Sequence, residues 1–110
     1  MKKSKIFSVI ILVFLFIFTL PIHAAILYVA TDGDNSDGST WAKAYQTIQA
    51  AVTASTIGDV INVGSSDGHG TGIYNEYVVV NKRLTIQSEN GYATTTVYTS
   101  NPVKDVFYIA

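Results

Sequence analysis

Three alternating apolar pairs recur along the second half of the chain at one constant step. Ile61 with Val63, Leu84 with Ile86, and Phe107 with Ile109 follow one another at a step of 23. Such alternation sends one residue to the inside of a strand and the next to the outside. A second set, Val78 with Val80 and then Val97 with Thr99, falls between them at a step of 19. Steps in this range mark chains that wind in repeated turns, each turn burying the inner face of its neighbour. The rival is a two-sheet sandwich, whose strands recur every 8–12 residues or so. The equal steps, and a helix placed ahead of them, favour winding.

The helix is read from a change of period. Over Trp41 to Ser55 the residues Ala44, Ile48, Ala51, Val52 and Ser55 fall three and four apart, one apolar stripe on a short helix. Ser39 or Thr40 can cap its start, and Gly58 can end it. Strands are expected at Ile26 to Ala30, Asp59 to Gly64, Tyr77 to Val80, Leu84 to Ser88, Thr95 to Thr99 and Val106 to Ala110. Loops rich in glycine, serine and aspartate separate them.

The first residues decide the compartment. Lys2, Lys3 and Lys5 precede Ile6 to Leu20, fifteen residues without a charge, and Pro21 and Ala24 follow. A positive start, an apolar core and a small residue at the cleavage point make a secretory signal peptide, cut after Ala24. The alternative, an uncleaved anchor, needs about 20 apolar residues to span a bilayer. The expected localisation is secreted, extracellular or at the cell surface, with membrane contact only through the signal during export. Loss of the leader takes basic residues from seven to four and leaves all eight acidic ones, a net charge of −4. That excludes nucleic acid, which needs a basic footprint. The chain has no cysteine, so no disulfide offsets the small core of residues 25–110.

The residues carry a resemblance. Tyr28-Val29, the run from Asp34 to Trp41, and Ala44 to Val52 with its Thr-Ile-Gln core are similar to the opening of secreted pectin-lyase-like proteins. Gly58-Asp59-Val60-Ile61-Asn62-Val63 and Gly72-Ile73-Tyr74-Asn75-Glu76 continue the likeness. It implies an all-β solenoid: the first coils of a right-handed parallel β-helix with an N-terminal capping α-helix. The chain then divides into a signal peptide (1–24), an N-terminal strand and capping helix (25–57) and first coils (58–110). The strand at the C-terminus, with no polar cap, suggests a fragment of a longer solenoid. One departure is the stretch Ser65 to Thr71, which reads as a surface insertion.

Function is less legible. Asp32, Asp34, Asn35 and Asp37 crowd one loop, but calcium-loop spacing fails and an Asx-turn cluster explains them. His69 has no second histidine or cysteine beside it and reads as a loop residue. Asp59 and Glu76 belong to turn motifs, and Arg83, the one arginine, sits in a turn beside Lys82. The catalytic carboxylates and basic residue of the resembling lyases find no match, so no catalytic, cofactor-binding or metal residue is assigned and no cofactor is expected. Tyr74, Tyr77, Tyr92 and Tyr98 offer either a sugar-stacking surface or ordinary strand filling. The expected function is glycan binding or adhesion by an exported β-helix, its partner a polysaccharide or cell-surface carbohydrate. The alternatives are the N-terminal part of a polysaccharide lyase or glycoside hydrolase, and a small secreted binding domain.

Overall fold

A computed structural model describes residues 24–110; the leader reading falls outside them except at Ala24. The elements are β1 (Ile26–Val29), α1 (Ile48–Ala54), β2 (Val60–Val63), β3 (Ile73–Asn75), β4 (Val78–Val80), β5 (Thr85–Ser88), β6 (Thr96–Tyr98) and β7 (Phe107–Ile109). Every strand pairing is parallel. One sheet has the order β1-β2-β5, a second pairs β3 with β6, and a third pairs β4 with β7. Valine and isoleucine dominate β2 and β4, where branched side chains pack well on a pleated surface.

The register overturns the fold expected from the sequence. Ile61 stands against Ile86, and Leu84 precedes the strand. Phe107 lies in another sheet, opposite Val78. The column of Ile61, Leu84 and Phe107 therefore does not exist. Along the chain the partners are offset by 34 for β1 and β2, 25 for β2 and β5, 23 for β3 and β6, and 29 for β4 and β7. Val97 pairs with Tyr74, not with the strand of Val78 and Val80. In place of an all-β solenoid, a right-handed parallel β-helix with a capping helix, the described residues form separate parallel sheets of two or three strands and one short helix. The physical reason is that alternation tells which face of a strand is buried, never which strand lies beside it. Loops of unequal length then remove any fixed step.

The helix is shorter than its stripe. Ala44, Ile48, Ala51, Val52 and Ser55 are all buried, as the periodicity requires, yet only Ile48 to Ala54 are helical. Ahead of it the chain is bound to the outer edge of β1. Tyr28 N–H donates to Gly38 O, Tyr45 N–H to Tyr28 O, and Ala30 N–H to Tyr45 O, at 2.8–3.0 Å. Sheet-like bonding wins over helix there, and the cap moves from Ser39 or Thr40 to Thr47, whose hydroxyl accepts from Ala50 N–H.

Two side chains from the connections on either side of β4 finish the helix. The Glu76 carboxylate accepts the N–H groups of Ile48 (2.8 Å) and Gln49 (3.0 Å). Lys82 Nζ donates to Val52 O (3.1 Å) and Ser55 O (2.7 Å). Anion at the N-terminus and cation at the C-terminus match the orphan backbone groups and the helix dipole. The Gln49 amide also lies along β4, accepting from Val79 N–H at 2.8 Å and donating to Val79 O at 3.3 Å.

The core gathers Val29, Ile48, Ala51, Val52, Ile61, Val63, Tyr74, Val78 and Val80. Tyr74 places its hydroxyl inside this core, donating to Gly64 O at 3.1 Å. Burial first, then the carboxylates of Glu76, Asp32 and Glu89, push its pKa up to about 12. Beyond β5 and β6 the packing opens. A cavity of about 220 Å³ is lined by Val63, Ile86, Val97 and Phe107 among others, and Thr95 Oγ1 is buried with no partner among the described residues.

Candidate functional site

The outward row of the first sheet brings polar and aromatic groups together. Because Val29, Ile61 and Val63 point inward, their neighbours Tyr28 and Asn62 face out, and Gln87 is in register with both. Gln87 Nε2 donates to Asn62 Oδ1 at 2.6 Å. Beside Tyr28 stands Trp41, its ring centroid 4.6 Å away and tilted by 57°. The His69 imidazole stacks on Trp41 at 4.2 Å, nearly parallel at 6°. Three rings from three segments thus stand at the end of a ladder of amides.

Glu89, just past β5, holds His69 there. Its carboxylate meets His69 Nδ1 at 2.7 Å, and also accepts from the N–H groups of His69 (3.0 Å) and Ser65 (3.2 Å). A carboxylate accepts only, so Nδ1 carries the donated proton and Nε2 is the nitrogen left over. Burial would raise the Glu89 carboxyl, but the hydrogen bonds from His69 and the backbone outweigh it and hold the pKa below the ordinary value. His69 keeps 40 % of its side chain exposed, which leaves it accessible despite the stack.

The loop from Ser65 to Thr71 is built to make this approach. Ser65 is fully buried, and its hydroxyl donates to Asp67 Oδ1 at 2.8 Å. That bond, with another from Asn90, lowers the Asp67 pKa. Thr71 N–H donates to Thr31 Oγ1 at 2.8 Å, closing this loop on the one before Trp41. Gly70 adopts φ +79°, and a Cβ there would lie 2.6 Å from Thr31 Oγ1. At Gly68 a Cβ would run into the Glu89 carboxylate. The stretch that reads as a plain surface insertion is tied down at both ends.

The residues weighed in the sequence fall elsewhere. Asp34 accepts from Ser36 N–H and Asp37 from Ser39 N–H, both at 3.0 Å, as Asx-turns. The Ser39 side chain and backbone lower the Asp37 pKa. Asp59 and Glu76 are both spent on backbone N–H groups. Arg83 is exposed in its turn. The four tyrosines do not share a surface: Tyr74 is buried, Tyr77 half-buried, and Tyr92 and Tyr98 exposed. His69 is not a loose loop residue, and no spacing in the sequence singles out Glu89, Asn62 or Gln87. The lone tryptophan is the one signal available, and only the pairing of β2 with β5 shows what surrounds it.

No protein-family model matches the chain, and no curated protein or solved structure is significantly similar to it. The likeness to pectin-lyase-like proteins stands on the quoted residues alone.

Proposed function

We propose that this chain is an exported protein that binds neutral carbohydrate on the outer row of its first sheet. The observation that carries the reading is the aromatic cluster of Tyr28, Trp41 and His69 beside the Asn62–Gln87 amide pair. A ring face carries negative charge and attracts the slightly positive C–H groups of a sugar face. Amides offer both donors and acceptors to sugar hydroxyls. The net charge without the leader, −4, disfavours polyanionic glycans and favours neutral ones. The leader pattern of Lys2 to Ala24 supports export.

The test is isothermal titration of the exported protein against soluble neutral oligosaccharides, preceded by a glycan array. Gln87→Ala, at an exposed position, is expected to weaken binding by roughly three- to ten-fold, about one hydrogen bond. Trp41→Ala is expected to abolish it. Equal binding by wild type and both variants, or binding to polyanionic glycans alone, overturns the reading.

A further inference from the structure

The strand β1 begins on a carboxylate that no side-chain cation contacts among the described residues. Asp59 is 4 % exposed. Its Oδ2 accepts from Thr56 N–H at 2.8 Å and Thr56 Oγ1 at 3.2 Å, while its Oδ1 accepts from Ala25 N–H at 2.9 Å. Among the described residues the one ion pair is His69 with Glu89, so no side-chain cation contacts Asp59. Lys82 is the charged side chain that acts on it, from a distance, and its ammonium is bonded to Val52 O and Ser55 O. Backbone hydrogen bonds from Thr56 and Ala25 hold its pKa below the ordinary value, so the carboxylate stands ionised and offers its charge to a cation.

We infer that the peptide bond between Ala24 and Ala25 is the processing site of the exported chain, and that the α-ammonium released at Ala25 becomes the counter-ion of Asp59. The inference rests on the proposed export. Both alanines are exposed, so the bond is open to a leader peptidase. Water supplies the atoms: its oxygen goes to the Ala24 carbonyl carbon, which leaves as a carboxylate, and the Ala25 nitrogen takes up protons to become an ammonium. The nitrogen already lies at hydrogen-bonding distance from Oδ1, and Ala25 O already accepts from Val60 N–H at 2.9 Å. Cleavage therefore replaces the amide donor to this carboxylate with an ammonium, turning a hydrogen bond charged on one side into an ion pair without moving the strand. Cleavage one residue later would remove the nitrogen and the carbonyl together.

The geometry also gives a pH signature. An amine that gains a carboxylate partner has a folded-state pKa above its unfolded value of about 7.7–8.0. Its contribution to stability is full below that value and is lost as pH rises through the folded-state pKa.

The experiment expresses the complete chain in a secreting host and reads the mass of the exported product. The α-amino pKa of that product is then measured by pH-dependent labelling resolved by peptide mapping, folded and in urea, for wild type and Asp59→Asn. The expected result is a first residue of Ala25 and an amine that titrates at least half a pH unit higher folded than in urea. Asp59→Asn should lose that difference. Should the variant not fold, the wild-type comparison with urea decides alone. An exported product with another first residue overturns the inference and leaves export standing. A product starting at Ala25 whose amine titrates alike in both states overturns the ion pair. Full-length protein retained in the cell overturns the export on which both rest.

Discussion

Replacing Glu76 with alanine should destabilise the protein out of proportion to one half-buried side chain. The carboxylate bonds two backbone donors of α1, Ile48 N–H and Gln49 N–H, and the remaining cap comes from Thr47. A hydrogen bond to a charged group contributes about 1.5–3 kcal/mol, and an anion at a helix N-terminus about 0.3–1 kcal/mol more. Water can replace part of this at a half-buried site, so the expected loss is about 2–4 kcal/mol. A domain of this size has about 4–13 kcal/mol in all, and each kcal/mol lowers Tm by about 4–8 °C. The assay is urea unfolding followed by the fluorescence of Trp41, the one tryptophan, with circular dichroism as a second probe. Glu76→Gln keeps the shape but turns an N–H₂ group toward one of the two donors, so it should lose at least half as much. Hydrogen exchange at Ile48 and Gln49 should quicken in both variants. A surface change that touches nothing special stays within about 0.5 kcal/mol of wild type. If Glu76→Ala falls inside that range, or Glu76→Gln is as stable as wild type, the reasoning that a remote carboxylate starts this helix is refuted.

Three further outcomes are expected. Ile61→Ala, at a fully buried position, should cost about 2–5 kcal/mol by denaturant unfolding. Thr95→Val removes a buried hydroxyl without a partner among the described residues and should raise stability by about 1 kcal/mol, seen as a higher Tm. Glu89 has a folded pKa below its ordinary value, so its contribution is full above about pH 4.5 and lost as pH falls through the folded-state value; melting curves from pH 7 to 3 should show a shallower acid decline in Glu89→Gln.

Much of the secondary structure is legible in the sequence because alternation and a threefold-to-fourfold stripe are local properties. Six strands fall within the apolar runs where they are expected, and the stripe from Ala44 to Ser55 is buried in every member. The helix start is not legible, since Ala44 meets the periodicity of a helix while the edge of β1 holds its neighbour Tyr45 by sheet bonds. Ile73 to Asn75 reads as a turn motif and is a strand, because its burial alternates around the single residue Tyr74. The arrangement of strands is misread because it depends on which loops are long. The site is legible in fragments only. Tyr28, Trp41 and His69 lie far apart in sequence, and Glu89 gives no local hint that it will hold a histidine from the other side of three strands.

A side chain standing where a backbone would stand has one more effect. The Gln49 amide fills the hydrogen-bonding row of β4, and the segment through Gly38 and Tyr45 fills that of β1. A foreign strand arriving beside β1 or β4 finds its partners already taken and must evict what fills them before it can dock. The opposite flank, along β5, β6 and β7, has no such guard among the described residues. Stickiness in concentrated solution should therefore be lopsided, with growth starting from one flank and two molecules meeting there face to face before any chain of them can form.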